Sequence, residues 1–123
     1  MEDHDPHRQI LEELLAGRGW NIFATEGSGE ALEVARKVPL DFGILDLHLP
    51  GTTGLDLFQT ISREIGPMPS IMMSGEASRS ETDAALAAGV FTFLKKPIAL
   101  PELQRSLDLL IQTHFPQSPG LPT

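Results

Sequence analysis

One carboxylate, one hydroxyl and one ammonium each sit at the end of an apolar run. Asp46 closes Phe42-Gly-Ile-Leu-Asp46 and is followed within a few residues by Pro50-Gly51; Ser74 closes Ser70-Ile-Met-Met-Ser74; Lys96 follows Val90 to Lys95 and precedes Pro97. A short apolar run that breaks into Pro, Gly or Ser reads as a buried strand, and α/β sheets place their chemistry at the carboxyl ends of such strands. The acidic group Glu2-Asp3-His4-Asp5 precedes the first helix and falls on the same rim. Carboxylates converging to about 5 Å repel by about 3 kcal/mol per pair at an effective dielectric near 20. A hard cation is therefore expected among them, and Mg2+ suits all-oxygen ligands that include a backbone carbonyl and waters. Lys96 supplies a second, fixed positive charge. Together these groups favour phosphoryl chemistry, with a carboxylate as nucleophile and the cations neutralising the phosphoryl oxygens.

The elements that must position these groups alternate in type. Pro6 to about Ala16 has Ile10, Leu11, Leu14 and Leu15 on one stripe and predicts a helix that ends at Gly17 and Gly19. Trp20 to Thr25 alternates like a strand. Ser28 is expected to cap a helix running to about Val38, and Pro39 stops it. Phe42 to Leu47 reads as a strand covered on both faces. Leu55 to Ile65 reads as a helix with Leu55, Phe58, Ile61 and Ile65 inward. Pro69 to Ser74 is the next strand, then a helix capped by Ser78 or Ser80 and ending at Gly89, then a strand from Val90 to Leu94. Leu100 to about His114 closes the series with Leu100, Leu103, Leu107, Leu110 and Ile111 on one face. Repeated βα units predict a parallel sheet with right-handed crossovers and helices on both faces. Residues 1–115 form one domain, and 116–123 read as a Pro-rich tail or the start of a linker.

Bulk properties set the class. A chain of 123 residues suits one domain with its own core. It has no cysteine, so no disulfide or thiolate metal site exists. The acidic start and the lack of a long apolar run argue against a signal peptide or membrane span and point to a cytoplasmic protein. A net charge of −8 argues against direct nucleic-acid binding by this segment. His4, His7 and His114 offer no transition-metal spacing, and Met72-Met73 is most simply core packing.

The order of these residues resembles the receiver domain of two-component response regulators, with a chemotaxis-regulator-like fold, over essentially the whole chain. The resemblance rests on Glu2-Asp3 with Arg8, Asp46 followed by Pro50 and Gly54, Ser74-Gly75-Glu76, Ala88-Gly89 and Phe93-Leu94-Lys95-Lys96-Pro97. It implies a flavodoxin-like doubly wound parallel sheet of order 2-1-3-4-5. It also implies that Asp46 accepts a phosphoryl group from a histidine kinase or phosphotransfer protein. Asp3, Asp46 and the carbonyl of His48 would hold Mg2+ directly, Glu2 through water, and Lys96 would bind a phosphoryl oxygen. Ser74 and Phe93 would form the switch that alters the face of the fourth helix, last strand and last helix. Such a module is a bacterial signalling device whose only chemistry is its own phosphorylation and hydrolysis. An effector domain, for transcription regulation among other outputs, is compatible with the tail by analogy alone.

Two departures bear on that reading. Receivers place an apolar strand before the acidic pair, where this sequence has only Met1, so the first strand reads as truncated or missing. The sheet would then be completed by upstream sequence, by direct pairing of Trp20–Thr25 with Phe42–Leu47, or by another chain, giving a homodimer or strand-swapped dimer. Weaker Mg2+ binding would accompany this. Glu2 replaces the commoner Asp, and Phe93 has no hydroxyl. His48 and Glu76, two residues after Asp46 and Ser74, are expected to tune the lifetime of the phosphorylated state. Two other readings stand beside the leading one. One is a degenerate receiver that binds partners or dimerises without phosphorylation; the other is an Asp-nucleophile phosphatase of the haloacid dehalogenase type, disfavoured because His48 stands where a second Asp is needed.

Overall fold

The helices form where apolar residues recur at helical spacing, and the strands where short apolar runs end in Gly, Ser or Pro. In a computed structural model that describes residues 6–17, 19–23, 25, 27–49, 52–97 and 99–115, the order is α1 (Pro6–Gly17), α2 (Ser28–Lys37), β1 (Gly43–Asp46), β2 (His48–Leu49), β3 (Thr52–Thr53), α3 (Gly54–Glu64), β4 (Ser70–Ser74), α4 (Arg79–Ala87), β5 (Thr92–Lys95) and α5 (Leu100–His114). The expected βα alternation is present, and α1 and α5 match their predicted spans closely.

Within the described residues the parallel sheet has three strands in the order β1-β4-β5. These correspond to the last three positions of the 2-1-3-4-5 order. Residues 1–5, which include Glu2 and Asp3 and on which the expectation of a truncated or missing first strand falls, lie outside the described residues. β4 is buried along its whole length, whereas β1 is only half-buried, because β4 is its one described strand neighbour. Alternate residues of the strands serve two cores. Ile71, Met73 and Leu94 pack with Leu15 of α1 and Leu103, Leu107, Leu110 and Ile111 of α5. Met72 packs on the opposite face with Phe58 of α3 and Ala85 of α4. Ala35 of α2 extends that face by meeting Leu57 and Ile61 of α3. Helices therefore cover both faces, as a doubly wound sheet requires.

Several expectations are corrected. Trp20 to Thr25 is not a strand in its described residues, nor does it pair with β1. A strand exists only through a hydrogen-bonded neighbour, and side chains hold this segment instead: the Trp20 ring meets Phe42 edge-on at 5.1 Å and Phe115 at 6.0 Å. The turn before it is a Schellman motif, with Trp20 N–H donating to the Leu15 carbonyl, Gly19 N–H to Ala16, and Gly19 at φ +90. Gly27, not Ser28, occupies the N-cap of α2, which ends at Lys37 with Val38 as its C-cap. For α4 one of the two expected caps is borne out: Ser78 caps the helix, through a reciprocal capping box with Glu81. In α3 the buried residues are Gly54, Leu57, Phe58 and Ile61; Ile65 and Leu100, both expected inward, are exposed at helix ends.

The rotation of α3 has a steric cause. A Cβ on Gly54 would lie 2.3 Å from the Asp46 carbonyl oxygen, and the Gly54 N–H donates to the Leu47 carbonyl at 2.6 Å. The first residue of α3 thus rests on the backbone that carries Asp46. The antiparallel pair β2–β3, for which the sequence carries no alternating run, returns the chain to that contact. Thr53 then caps α3 by accepting from the Asp56 N–H. Gly54→Ala is expected to destabilise the domain by about 1–3 kcal/mol, since the obstructing atoms are backbone. Urea unfolding measures this, and unchanged stability would contradict the close approach.

Candidate functional site

Parallel register brings the three strand ends level. Asp46 lies beside Met73 and Ser74 beside Lys95, and two further bonds extend the pairing: Leu47 N–H to the Met73 carbonyl and Lys96 N–H to the Ser74 carbonyl, each 2.8 Å. Asp46, Ser74 and Lys96 therefore meet on one rim although they come from separate βα units.

Lys96 Nζ lies 2.6 Å from Asp46 Oδ2, across 50 residues of sequence. The other carboxylate oxygen, Oδ1, accepts the His48 N–H at 3.2 Å. The Asp46 side chain keeps 31% of its surface exposed and Lys96 27%, so the pair is sheltered but reachable. A partly solvated ion pair of this kind avoids the large desolvation penalty of a buried one and can reorganise around an incoming anion. Lys95, one residue earlier, is exposed and faces solvent.

Ser74 is fully buried. Its Oγ accepts the Glu76 N–H at 3.1 Å and lies 3.4 Å from His48 Nδ1. The exposed His48 ring also reaches Glu81, with Nε2 3.9 Å from Oε2. Phe93 is partly buried against the Met72, Phe58 and Ala85 cluster, on the α4 side of the sheet. The structure therefore places Asp46, Lys96, Ser74 and His48 together. Glu76 enters the site through its backbone, and its side chain is exposed. Glu2 and Asp3, the remaining expected ligands, lie outside the described residues. Asp46 and the His48 carbonyl are hard oxygen donors of the type Mg2+ takes.

Two participants do not stand out in the sequence as parts of the site. Glu81 touches His48, and its one signal is the Ser-x-x-Glu spacing of Ser78-Arg-Ser-Glu81, which marks a capping box but not a neighbour of the rim. Gly54 reads as a motif residue, and its steric role emerges only from the contact with the Asp46 backbone.

No described helix is long and apolar enough to cross a membrane. The chain matches the response regulator receiver domain family over residues 1–108. It is 34% identical to the KDP operon transcriptional regulatory protein KdpE of Escherichia coli over 93% of its own length and 50% of that protein's. It is 30% identical to the chemotaxis protein CheY-3 of Vibrio cholerae, over 91% of this chain and 88% of that one. The chain spans only a part of some curated relatives, as little as 17% of the sensory/regulatory protein RpfC of Xanthomonas campestris. Among solved structures, a CheY-like receiver domain protein from Methanospirillum hungatei superposes with a TM-score of 0.83 at 20% identity, covering 94% of this chain and 93% of that one. A response regulator from Burkholderia pseudomallei, solved with a phosphorylated aspartic acid, calcium ion and citrate, gives 0.71 at 21%, covering 94% and 71%. Such domains are generally signalling modules of two-component systems and not metabolic enzymes. With its doubly wound fold and its aspartate, serine and lysine on one rim, this chain belongs to the response regulator receiver domain family.

Proposed function

We propose that Asp46 accepts a phosphoryl group from a histidine kinase or phosphotransfer protein in the cytoplasm, and that this charge switches a protein-binding face. The observation that carries the reading is the 2.6 Å contact between Lys96 Nζ and Asp46 Oδ2. An Asp46 oxygen attacks phosphorus, a P–O bond forms, and the donor's P–N bond breaks with its electron pair returning to the imidazole. Water later attacks the same phosphorus, releasing inorganic phosphate and restoring the carboxylate. Lys96 stays beside the acyl phosphate and neutralises an oxygen that gains charge in both steps.

A magnesium ion, when bound by Asp46, the His48 carbonyl, Asp3 and, through water, Glu2, would supply further positive charge against the phosphoryl oxygens. The calcium ion and phosphorylated aspartic acid in the Burkholderia relative support this donor chemistry. Ser74 turns its hydroxyl to the phosphoryl group, Phe93 follows inward, and the α4-β5-α5 face changes. α4 and α5 each carry exposed leucines, Leu86 on α4 and Leu100 and Leu109 on α5, which supports a partner surface there.

Incubation with acetyl phosphate and Mg2+, followed by intact mass, is expected to show a gain of one phosphoryl group. Asp46→Asn abolishes the gain, and Lys96→Ala slows it on the order of a hundredfold. An adduct that survives in the Asp46→Asn protein, or turnover of an external phosphomonoester, would overturn the reading. The same assay follows decay of the adduct: replacing His48 and Glu76 together is expected to change its lifetime on the order of tenfold, about 1.4 kcal/mol. An unchanged lifetime contradicts their tuning role.

The sheet edge extends the proposal to a second copy of the chain. β1 is hydrogen-bonded to β4 alone among the described strands, and the side of β1 away from β4 is where another copy would pair. Light scattering is expected to give a mass that rises with concentration towards a dimer; a constant monomer mass contradicts this.

A further inference from the structure

We propose that His48 is a positioning residue that couples the Ser74 hydroxyl to the first turn of α4, by a side-chain route separate from the loop that joins them. The part of this inference that concerns the phosphorylated state rests on the phosphoacceptor role of Asp46.

Ser74 is fully buried, and its oxygen already accepts the Glu76 N–H. Its own O–H still needs an acceptor, and leaving a buried donor without one is costly. His48 Nδ1, 3.4 Å away, faces it. For that nitrogen to accept, the neutral ring must carry its proton on Nε2. Nε2 is the atom that faces Glu81, 3.9 Å from Oε2. Glu81 Oε1 in turn accepts the Ser78 N–H at 2.9 Å, and Ser78 Oγ accepts the Glu81 N–H at 3.1 Å. One tautomer of one side chain thus accepts from Ser74 at one end and turns its N–H towards Glu81, beyond direct hydrogen-bond distance, at the other, and a polar series runs Ser74, His48, Glu81, Ser78, from the end of β4 to the cap of α4. When the Ser74 hydroxyl turns towards a phosphoryl group, His48 Nδ1 loses its donor. The ring is then free to turn away from Glu81, and the first turn of α4 loses this side-chain contact with the rim.

Nuclear magnetic resonance on the full, unphosphorylated chain tests this. At a pH well above the ordinary histidine range, the His48 ring nitrogens are expected to report the Nε2–H tautomer; the Nδ1–H tautomer in the unaltered protein would overturn the proposal without any variant. Ser74→Ala is expected to shift the Glu81 amide resonance, and a His48→Ala background to remove more than half of that shift. His48→Gln, whose amide can accept from Ser74 and donate to Glu81, is expected to restore it. A shift of equal size with and without His48 would overturn the coupling. None of these readouts needs phosphorylation, so failure of the phosphoryl adduct to form and failure of this coupling are seen separately.

Discussion

The site depends on a contact between two charges that the chain separates by 50 residues, Asp46 and Lys96. Neither position has any local reason to meet the other. They meet because β1 and β5 both pair in parallel with β4, in registers that end together, so that Asp46 and Lys96 emerge on the same side of one rim. A slip of one residue in either pairing would send a side chain to the opposite face and dissolve the ion pair. The two cores resist such a slip. Ile71 and Met73 are committed to the α1 and α5 side, and Met72 to the α3 and α4 side, so moving β4 would exchange all three.

The same rim accommodates charge without sealing it. Asp46 and Lys96 keep 31% and 27% of their side-chain surface exposed, which keeps the cost of holding them modest and leaves both reachable from solvent. Ser74 presents the opposite case: a neutral hydroxyl, fully buried, with its bonds directed to Glu76 and His48. A reachable charge pair beside a concealed hydroxyl suits the two arrangements that the proposed function requires. Gly54 keeps the geometry tight by letting α3 rest on the Asp46 backbone.

The placement of this rim is legible in the sequence because Asp46, Ser74 and Lys96 each interrupt an apolar run, and such interruptions mark strand ends. The spans of α1 and α5 are legible for a similar reason, being strongly periodic. Trp20 to Thr25 misleads because alternation is a local property while a strand is a relation to a neighbour, and its aromatic ring packs on Phe42 and Phe115 instead. The inward face of α3 departs from its periodicity at the ends, where the approach of Gly54 sets the rotation. The meeting of His48 with Glu81 has no sequence signature, since it joins an exposed residue of β2 to the capping box of α4 through tertiary placement alone.

The rim has one purpose if Asp46 is the carboxylate that carries the phosphoryl group. Borohydride reduction of the chain after treatment with acetyl phosphate and Mg2+ tests this most directly, because hydride attack on an acyl phosphate expels phosphate and leaves homoserine in place of aspartate. Peptide mass spectrometry is predicted to find homoserine at position 46. Homoserine at another aspartate, or none at all, would contradict the account.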